Sequence, residues 1–184
     1  MEVPVLLTVG HGALGRADLA ALLGAAGVAA LVDVRRFPGS RTNPDVRREA
    51  LEDWLPTAGI AYRWEPGLGG RRHLAREEKD ASPDTWWQVE AFRAYAAWTR
   101  APEFRGALAD LLGQAADTRT AVMCSEAVWW RCHRRLIADV AVLAHGTDVH
   151  HLMPDGRLRT HVVADGARLT GPGEVVWDGG DVKS

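Results

Sequence analysis

The amino-acid sequence predicts an α/β protein with a mainly parallel open sheet, helices on both faces and a small C-terminal β extension. Short apolar runs alternate with amphipathic segments of helical period, which is the pattern of βαβ units. The tail has alternating segments between the turn signals Pro154-Asp155-Gly156, Asp165-Gly166 and Gly171-Pro172-Gly173. A length of 184 residues fits a single domain, with its core over about 1–152 and the extension over about 153–184.

The strands are predicted at the short apolar runs, which cover residues 5–9, 29–34, 60–64, 120–123 and 148–152. The helices are predicted over residues 16–26, 44–55, 85–98, 103–116 and 130–144. Gly27 and Gly146 follow two of these helices as C-terminal stops, and Pro44 and Pro102 suit a first helical turn. Residues 65–83 hold several glycines and many charges, which predicts a long, mobile surface loop. The last strand is expected beside the strand at 120–123.

Composition narrows the class of protein. The net charge of −2 gives no general attraction to nucleic acid, although a local basic cleft remains compatible with it. Two cysteines are too few for a secreted disulfide framework. The apolar run after Met1 is too short for a signal peptide or a spanning helix, so we expect a cytoplasmic protein that does not enter a membrane.

Polar side chains follow several predicted strands at the point where each strand ends. Gly10-His11-Gly12 follows the first strand, Asp33, Arg35 and Arg36 end the second, and Cys124-Ser125-Glu126 follows the fourth. Because ligands of open parallel sheets bind at the carboxyl ends of the strands, these residues predict a site there. Ser40 and Arg41 lie in the loop after the second strand, where guanidinium groups suit a phosphate or a carboxylate. For Asp33, a structural ion pair or a helix cap is an equal alternative to a catalytic role.

Cys124 is the candidate nucleophile. A cysteine between a strand and a helix can have its pKa lowered by the helix N-terminus and by nearby cations. A cysteine-phosphatase loop would place an arginine after five intervening residues, but Trp130 occupies that position and Arg131 comes one residue later. The spacing therefore argues against a phosphatase. Cys132 is interpreted as a small buried hydrophobic residue.

A metal site is the second interpretation, with Cys124, Cys132 and His151 as ligands for zinc or iron. The spacing of these residues resembles no closed zinc motif. Cys132 and His133 are adjacent, so on a helix their side chains would point about 100° apart and would not both face one ion. His150 and His151 lie on opposite faces of a strand, so at most one of them faces the predicted cleft.

The ordered series of motifs resembles the uncharacterised DUF488 family from Thr8 to about His161. The matching pieces are Thr8-Val9-Gly10-His11-Gly12, Leu31-Val32-Asp33-Val34-Arg35, Pro38, Ser40, Arg41, Gly59-Ile60-Ala61-Tyr62, Leu68-Gly69-Gly70, Met123-Cys124-Ser125-Glu126, Cys132-His133-Arg134, His151-Leu152, Gly156 and His161. The resemblance implies an α/β fold with a parallel core. It also implies that one site contains Asp33, Arg35, Cys124, Glu126, Cys132, His133 and Arg134, but it supplies no substrate. The bulky pair Trp129-Trp130 within this spacing is expected to alter substrate choice.

The leading hypothesis is a cysteine-dependent hydrolase or transferase for a small anionic or nucleotide-like substrate. Its catalytic residues are Cys124 as nucleophile, His133 as base or stabilising cation, Glu126 as the residue that orients His133, and Asp33. Its substrate-binding residues are His11, Arg35, Ser40, Arg41 and Arg134. This hypothesis requires no cofactor, and residues 67–83 would close over the site as a lid.

The alternatives are the metal-binding protein with zinc or iron and a non-catalytic nucleic-acid-binding module. The module would use the basic residues Arg47, Arg48, Arg71 and Arg72 interleaved with tryptophans.

Overall fold

The computed structural model describes residues 2–180. The strands are β1 (Val5–Gly10), β2 (Ala30–Asp33), β3 (Ala61–Trp64), β4 (Thr120–Cys124), β5 (Asp148–Leu152), β6 (Leu158–Thr160), β7 (Ala167–Gly171) and β8 (Glu174–Trp177). The α-helices are α1 (Arg16–Ala25), α2 (Arg48–Thr57), α3 (Arg76–Asp80), α4 (Glu90–Trp98), α5 (Pro102–Asp117) and α6 (Arg134–His145). Short 3₁₀ turns cover Pro44–Val46, Pro66–Leu68 and Trp129–Arg131.

The main sheet has the strand order β3-β2-β4-β1-β5-β6. The first five of these strands are parallel, and β6 joins the edge antiparallel to β5. Strands β7 and β8 form a separate antiparallel hairpin. The predicted fold class, a mainly parallel α/β sheet with a small C-terminal β extension, is therefore confirmed. The last four residues of the predicted extension, 181–184, lie outside the described residues.

Two apolar cores lie on opposite faces of the sheet, because side chains of a strand alternate between its faces. Leu7 and Val9 of β1 belong to the core that α1 and α2 cover. Leu6 of the same strand belongs to the other core, which contains side chains of α4, α5, α6 and the hairpin residue Trp177. Helices thus cover both faces, as the sequence predicts. Within residues 2–180, no helix has the length and apolar character that a membrane crossing needs.

Several element boundaries differ from the predicted ones. The helix predicted over 44–55 is a 3₁₀ turn followed by α2, because the backbone of Arg47 is extended between them (φ −65°, ψ 148°). The helix predicted over 85–98 begins only at Glu90. The predicted loop 65–83 contains a 3₁₀ turn and helix α3, and Leu68 within it is fully buried.

Two differences change the site. The helix predicted over 130–144 begins only at Arg134, and Cys132 before it has an extended backbone (φ −123°, ψ 152°). The argument that Cys132 and His133 diverge on a helix therefore does not apply. Strand β5 lies beside β1 rather than beside β4, so the prediction of its neighbour was wrong.

Candidate active site

A cavity of about 290 Å³ opens at the carboxyl ends of β2, β4 and β1. These strands are neighbours in the sheet, which is why the polar residues that follow them meet. The wall consists of His11, Arg35, Arg36, Phe37, Gly39, Ser40, Gly70, Arg71, Ala91, Phe92, Tyr95, Cys124, Ser125, Glu126, Arg131, Cys132 and His133. The structure thus brings together most of the predicted site residues.

Backbone hydrogen bonds hold the strand-end loops side by side beyond the last residues of the strands. The amide of His11 donates to the carbonyl of Cys124 at 2.9 Å, and the amide of Val34 donates to that of Met123 at 2.9 Å. Gly10 permits the close approach, because a Cβ atom at this position would lie 1.9 Å from the carbonyl oxygen of Glu126. The cavity floor is therefore tied to the sheet by backbone hydrogen bonds.

Two thiols lie in contact at this floor. Cys124 is the last residue of β4 and Cys132 immediately follows the 3₁₀ turn Trp129–Arg131, and both are free cysteines. Their Sγ atoms are 2.7 Å apart, and the residues are 2% and 5% exposed. The turn and the extended backbone of Cys132 return the chain to the end of β4. Sequence spacing did not indicate this contact.

Cationic groups surround the two sulfur atoms. The guanidinium of Arg134 donates from Nε to Sγ of Cys124 at 3.0 Å, and the backbone amide of Arg134 donates to Sγ of Cys132 at 3.5 Å. Nδ1 of His133 lies 3.5 Å from Sγ of Cys132, while Nε2 of the same ring donates to the carbonyl of Val34 at 2.9 Å. The N-terminus of α6 adds its positive end at the same place.

This environment shifts the pKa values of the two thiols in opposite directions. Burial raises the pKa of Cys132, but the hydrogen bond from Cys124 and the charges of His133 and Arg134 outweigh burial and hold this pKa well below its usual range. Burial and the neighbouring Cys132 sulfur hold the pKa of Cys124 well above its usual range. The lower pKa of the pair therefore belongs to Cys132 and the higher one to Cys124.

The carboxylate of Glu126 contacts the backbone rather than His133. Its Oε1 accepts a hydrogen bond from the amide of Val128 at 3.0 Å. The imidazole of His133 is oriented instead by the carbonyl of Val34. Glu126 still lines the cavity, where its carboxylate is exposed.

Asp33 is fully buried behind the cavity wall, where it fixes Arg35. Its carboxylate accepts from Nε of Arg35 at 2.8 Å and from Nη2 at 2.6 Å. The hydroxyl of Tyr62, which sequence reasoning missed, donates to the same carboxylate at 2.6 Å, and burial raises the pKa of this phenol. Burial lowers the pKa of Arg35, but the hydrogen bonds and charge of Asp33 outweigh it and raise this pKa. Nη1 of Arg35 lies 3.3 Å from Nε2 of His11. Asp33 is thus placed to position Arg35.

The wall also contains cations that were not among the predicted substrate-binding residues. Arg36, Arg71 and Arg131 line the cavity, and none of them pairs with a carboxylate among the described residues. Glu126 is the only acidic residue in the described wall. Phe37 is 61% exposed, and the guanidinium carbons of Arg36 and Arg71 lie 5.4 Å and 6.0 Å from its ring centre. The cavity therefore suits an anion that carries a flat apolar group.

A buried chain of hydrogen bonds supports Arg134 from behind. Nη1 of Arg134 donates to Oγ1 of Thr8 at 3.1 Å, and this hydroxyl donates to Nδ1 of His151 at 2.6 Å. Nε2 of His151 donates to Nδ1 of His161 at 2.9 Å, and Nε2 of His161 donates to Asp139 at 2.7 Å. Burial and neighbouring cationic groups lower the pKa of His151 to about 3, so this ring is neutral at physiological pH. Each donor in the chain has one acceptor, which fixes the direction of the guanidinium.

The remaining predicted site residues lie away from the cavity wall. Arg134 contacts the thiols from the buried side, and Arg41 is exposed outside the wall. Trp129 stacks on His151 with ring centres 4.1 Å apart, while Trp130 is 47% exposed. Within the described residues, neither tryptophan lines the cavity. No direct contact of this pair therefore supports the expected effect on substrate choice.

The predicted metal ligands do not form a cluster. In the part of the chain that the structure describes, no three His, Cys, Asp or Glu residues are grouped as a metal ion requires. Both ring nitrogens of His151 are already hydrogen-bonded, to Thr8 and to His161. Two of the basic residues considered for nucleic acid have other contacts: Arg48 pairs with Glu52, and Arg72 lies over Trp98.

Comparison with known proteins places the chain in a family. The model of the family described as "Domain of unknown function DUF488" matches residues 17–141, which include Cys124, Cys132, His133 and Arg134. The chain belongs to the DUF488 family. No curated protein and no solved structure matches it significantly. Thr8, His151 and His161 lie outside the matched segment. The chain of hydrogen bonds from Arg134 through these residues to Asp139, called the relay below, thus joins the matched region to residues outside it.

Proposed function

We propose that this protein is a cysteine-dependent enzyme that forms a covalent bond between a thiolate and a small anionic substrate. The observation that carries the proposal is the contact between the Sγ atoms of Cys124 and Cys132, 2.7 Å apart, on the floor of a cavity lined by cations. A buried thiolate held by a guanidinium and an imidazole is a strong nucleophile at neutral pH.

Cys132 is the nucleophile in this proposal, whereas the sequence favours Cys124. Cys132 carries the lowered pKa, lies beside His133 and is slightly more exposed than Cys124. Cys124 donates its hydrogen to the thiolate, and Arg134 fixes both sulfur atoms. His133 serves as the cation that stabilises the thiolate and as a proton donor to a leaving group.

The substrate is a small anion. A volume of about 290 Å³ lies at the lower end of ligand pockets. Arg36, Arg71 and Arg131 bring positive charge to the wall, and Ser40 adds a polar group. The segment that carries Gly70 and Arg71 is anchored rather than free, because Tyr95 donates to the carbonyl of Leu68 at 2.7 Å. This segment forms a fixed wall of the binding site.

The rates of alkylation by iodoacetate and iodoacetamide test the proposal, because the reagents differ in charge. We expect the ratio of the iodoacetate rate to the iodoacetamide rate to be well above that of a free thiol such as glutathione. Arg71→Ala and Arg131→Ala should each lower this ratio roughly fivefold, since a charge contact in a water-like dielectric is worth about 1 kcal/mol. Inorganic phosphate should slow both reagents by occupying the cavity.

Arg157→Ala is the matched control, because Arg157 is exposed and is not in the described cavity wall. It should leave the ratio unchanged. A ratio equal to that of glutathione, or equal losses in the control and in the cavity variants, would refute the role of the cavity in binding anions. Alkylation that persists in Cys132→Ser at the wild-type rate would refute Cys132 as the nucleophile.

A further inference from the structure

We infer that Cys124 and Cys132 act together as a dithiol that reduces a small anionic disulfide and closes to an internal disulfide. This inference rests on the proposed function and names its reaction and substrate class. Their Sγ atoms are 2.7 Å apart, whereas the S–S bond of a disulfide is about 2.05 Å. The Sγ–Sγ distance would therefore have to shorten by only about 0.65 Å for the bond to form.

The second thiol outcompetes water at the reacting sulfur. Cys124 touches Sγ of Cys132, and both residues belong to the buried apolar core that also contains Tyr95 and Phe104. An intramolecular nucleophile held in place reacts as if it were present at very high concentration. A covalent intermediate on Cys132 whose linking atom is sulfur is therefore resolved by Cys124 rather than by hydrolysis.

The two thiols differ in pKa, and this difference sets the order of the steps. The Cys132 thiolate attacks one sulfur of the disulfide RS–SR, a Cys132–SR bond forms, and the RS–SR bond breaks. The leaving RS⁻ takes a proton from the imidazolium of His133, which solvent then reprotonates. Cys124 loses its proton to the solvent and attacks Sγ of Cys132, the Cys124–Cys132 bond forms, and the second RS⁻ leaves and is protonated.

The overall reaction is balanced without a metal or a cofactor. The disulfide gains two electrons and becomes two RSH molecules, and the two cysteines lose the same electrons and become a disulfide. A small thiol or dithiol from solution reduces the protein for the next turnover. The cation-lined wall and the exposed ring of Phe37 favour a disulfide with carboxylate groups and a flat ring.

Ellman's reagent, an aromatic disulfide with a carboxylate on each ring, is the probe, and neutral 4,4′-dithiodipyridine is its control. With a stoichiometric amount of Ellman's reagent, the reduced wild-type protein should release both thionitrobenzoate halves. Its mass should fall by two hydrogen atoms, and peptide mapping should locate a Cys124–Cys132 disulfide. Arg71→Ala should slow Ellman's reagent several-fold more than it slows 4,4′-dithiodipyridine.

The single cysteine variants separate the steps. Cys124→Ser should release one half of the reagent and retain the other on Cys132, while Cys132→Ser should react far more slowly. Cys124→Ala provides the same test if the serine variant does not fold, as judged by circular dichroism. Retention of thionitrobenzoate on wild-type Cys132 would overturn the inference but leave the nucleophile of the proposed function intact. Failure of wild-type protein to react with either Ellman's reagent or iodoacetate would overturn both.

Discussion

At the scale of single residues, Arg71 shows how backbone geometry brings charge to the cavity. Among the described residues it is the only non-glycine residue with a positive φ, 56°. This left-handed region is unfavourable for residues that have a Cβ atom. Nη1 of Arg36 donates to the carbonyl of Arg71 at 2.8 Å, which helps to hold the conformation. The chain thus accepts local strain at a position that lines the site, as functional residues often do.

Two substitutions of Arg71 separate its charge from its conformation. Arg71→Ala and Arg71→Gly both remove the guanidinium, but glycine adopts a positive φ without steric cost. We expect the glycine variant to have a free energy of unfolding about 1 kcal/mol higher than the alanine variant, measured by urea denaturation. Both variants should lose the preference for iodoacetate equally. Equal stability of the two variants would contradict the assignment of strain to this residue.

At the scale of elements, the site depends on which strands are neighbours. The sequence predicts that polar residues follow the strands at 5–9, 29–34 and 120–123, and the sheet places those strand ends side by side in the order β2-β4-β1. Local pattern was sufficient here, because buried strands and turn-forming residues leave a clear signal. The position of β5 was predicted wrongly, because strand order depends on packing across the whole chain.

The contacts that define the chemistry were beyond sequence reasoning for the same reason. The thiol contact depends on the extended backbone of Cys132 after a 3₁₀ turn, which the predicted helix 130–144 did not contain. His133 takes its orientation from the carbonyl of Val34, ninety-nine residues away in the chain, rather than from the nearby Glu126. Every residue has a backbone carbonyl, so the sequence does not indicate which carbonyl will accept such a hydrogen bond. The residues were therefore predictable, whereas several of their partners were not.

The close contact between the loops that follow β1 and β4 leads to a prediction about Gly10. Gly10→Ala would place a Cβ atom 1.9 Å from the carbonyl oxygen of Glu126, which also accepts a hydrogen bond from Arg134. We expect a loss of about 1–3 kcal/mol in the free energy of unfolding, since backbone atoms must shift. Alkylation of Cys132 should also slow, because Arg134 loses a partner.

Gly113→Ala is the matched control for this substitution. Gly113 lies in α5, and an added Cβ would meet no atom within 4 Å apart from its chain neighbours and its own helix backbone. This variant should be more stable than wild type by about 0.5–1 kcal/mol, because alanine favours a helix more than glycine does. A Gly10→Ala variant with wild-type stability would show that the loops can separate without cost.

At the scale of the whole molecule, the relay behind Arg134 joins distant parts of the chain. Thr8 comes from β1, Asp139 from α6, His151 from β5 and His161 from the segment after β6. The indole of Trp177 in β8 also donates to Asp139 at 2.8 Å, which connects the C-terminal hairpin to the same carboxylate. Asp139 is fully buried, and its carboxylate oxygens accept these hydrogen bonds from His161 and Trp177. The extension thus supports the residue that contacts the thiols.

The pKa of His151 predicts how this support depends on pH. The folded pKa of about 3 lies below the usual value of 6.5, because the ring is buried among His161, Arg134 and His150. As the pH falls below 6.5, the unfolded chain binds a proton at His151 that the folded protein excludes. The stability from this group is therefore complete above pH 6.5 and is lost progressively toward pH 3, by up to about 1.4 kcal/mol per pH unit.

Urea denaturation of wild type and His151→Gln at a series of pH values checks this dependence. Both proteins carry the same other titrating groups, so the difference between their free energies of unfolding isolates His151. This difference should be constant above pH 6.5 and should shift against wild type as the pH is lowered. His150→Gln is the control, because His150 lies on the other side of the strand and is partly exposed. If the difference between the free energies of unfolding of wild type and His151→Gln stayed constant down to pH 4, His151 would take up a proton in the folded protein. The relay would then not fix Arg134 through a neutral histidine.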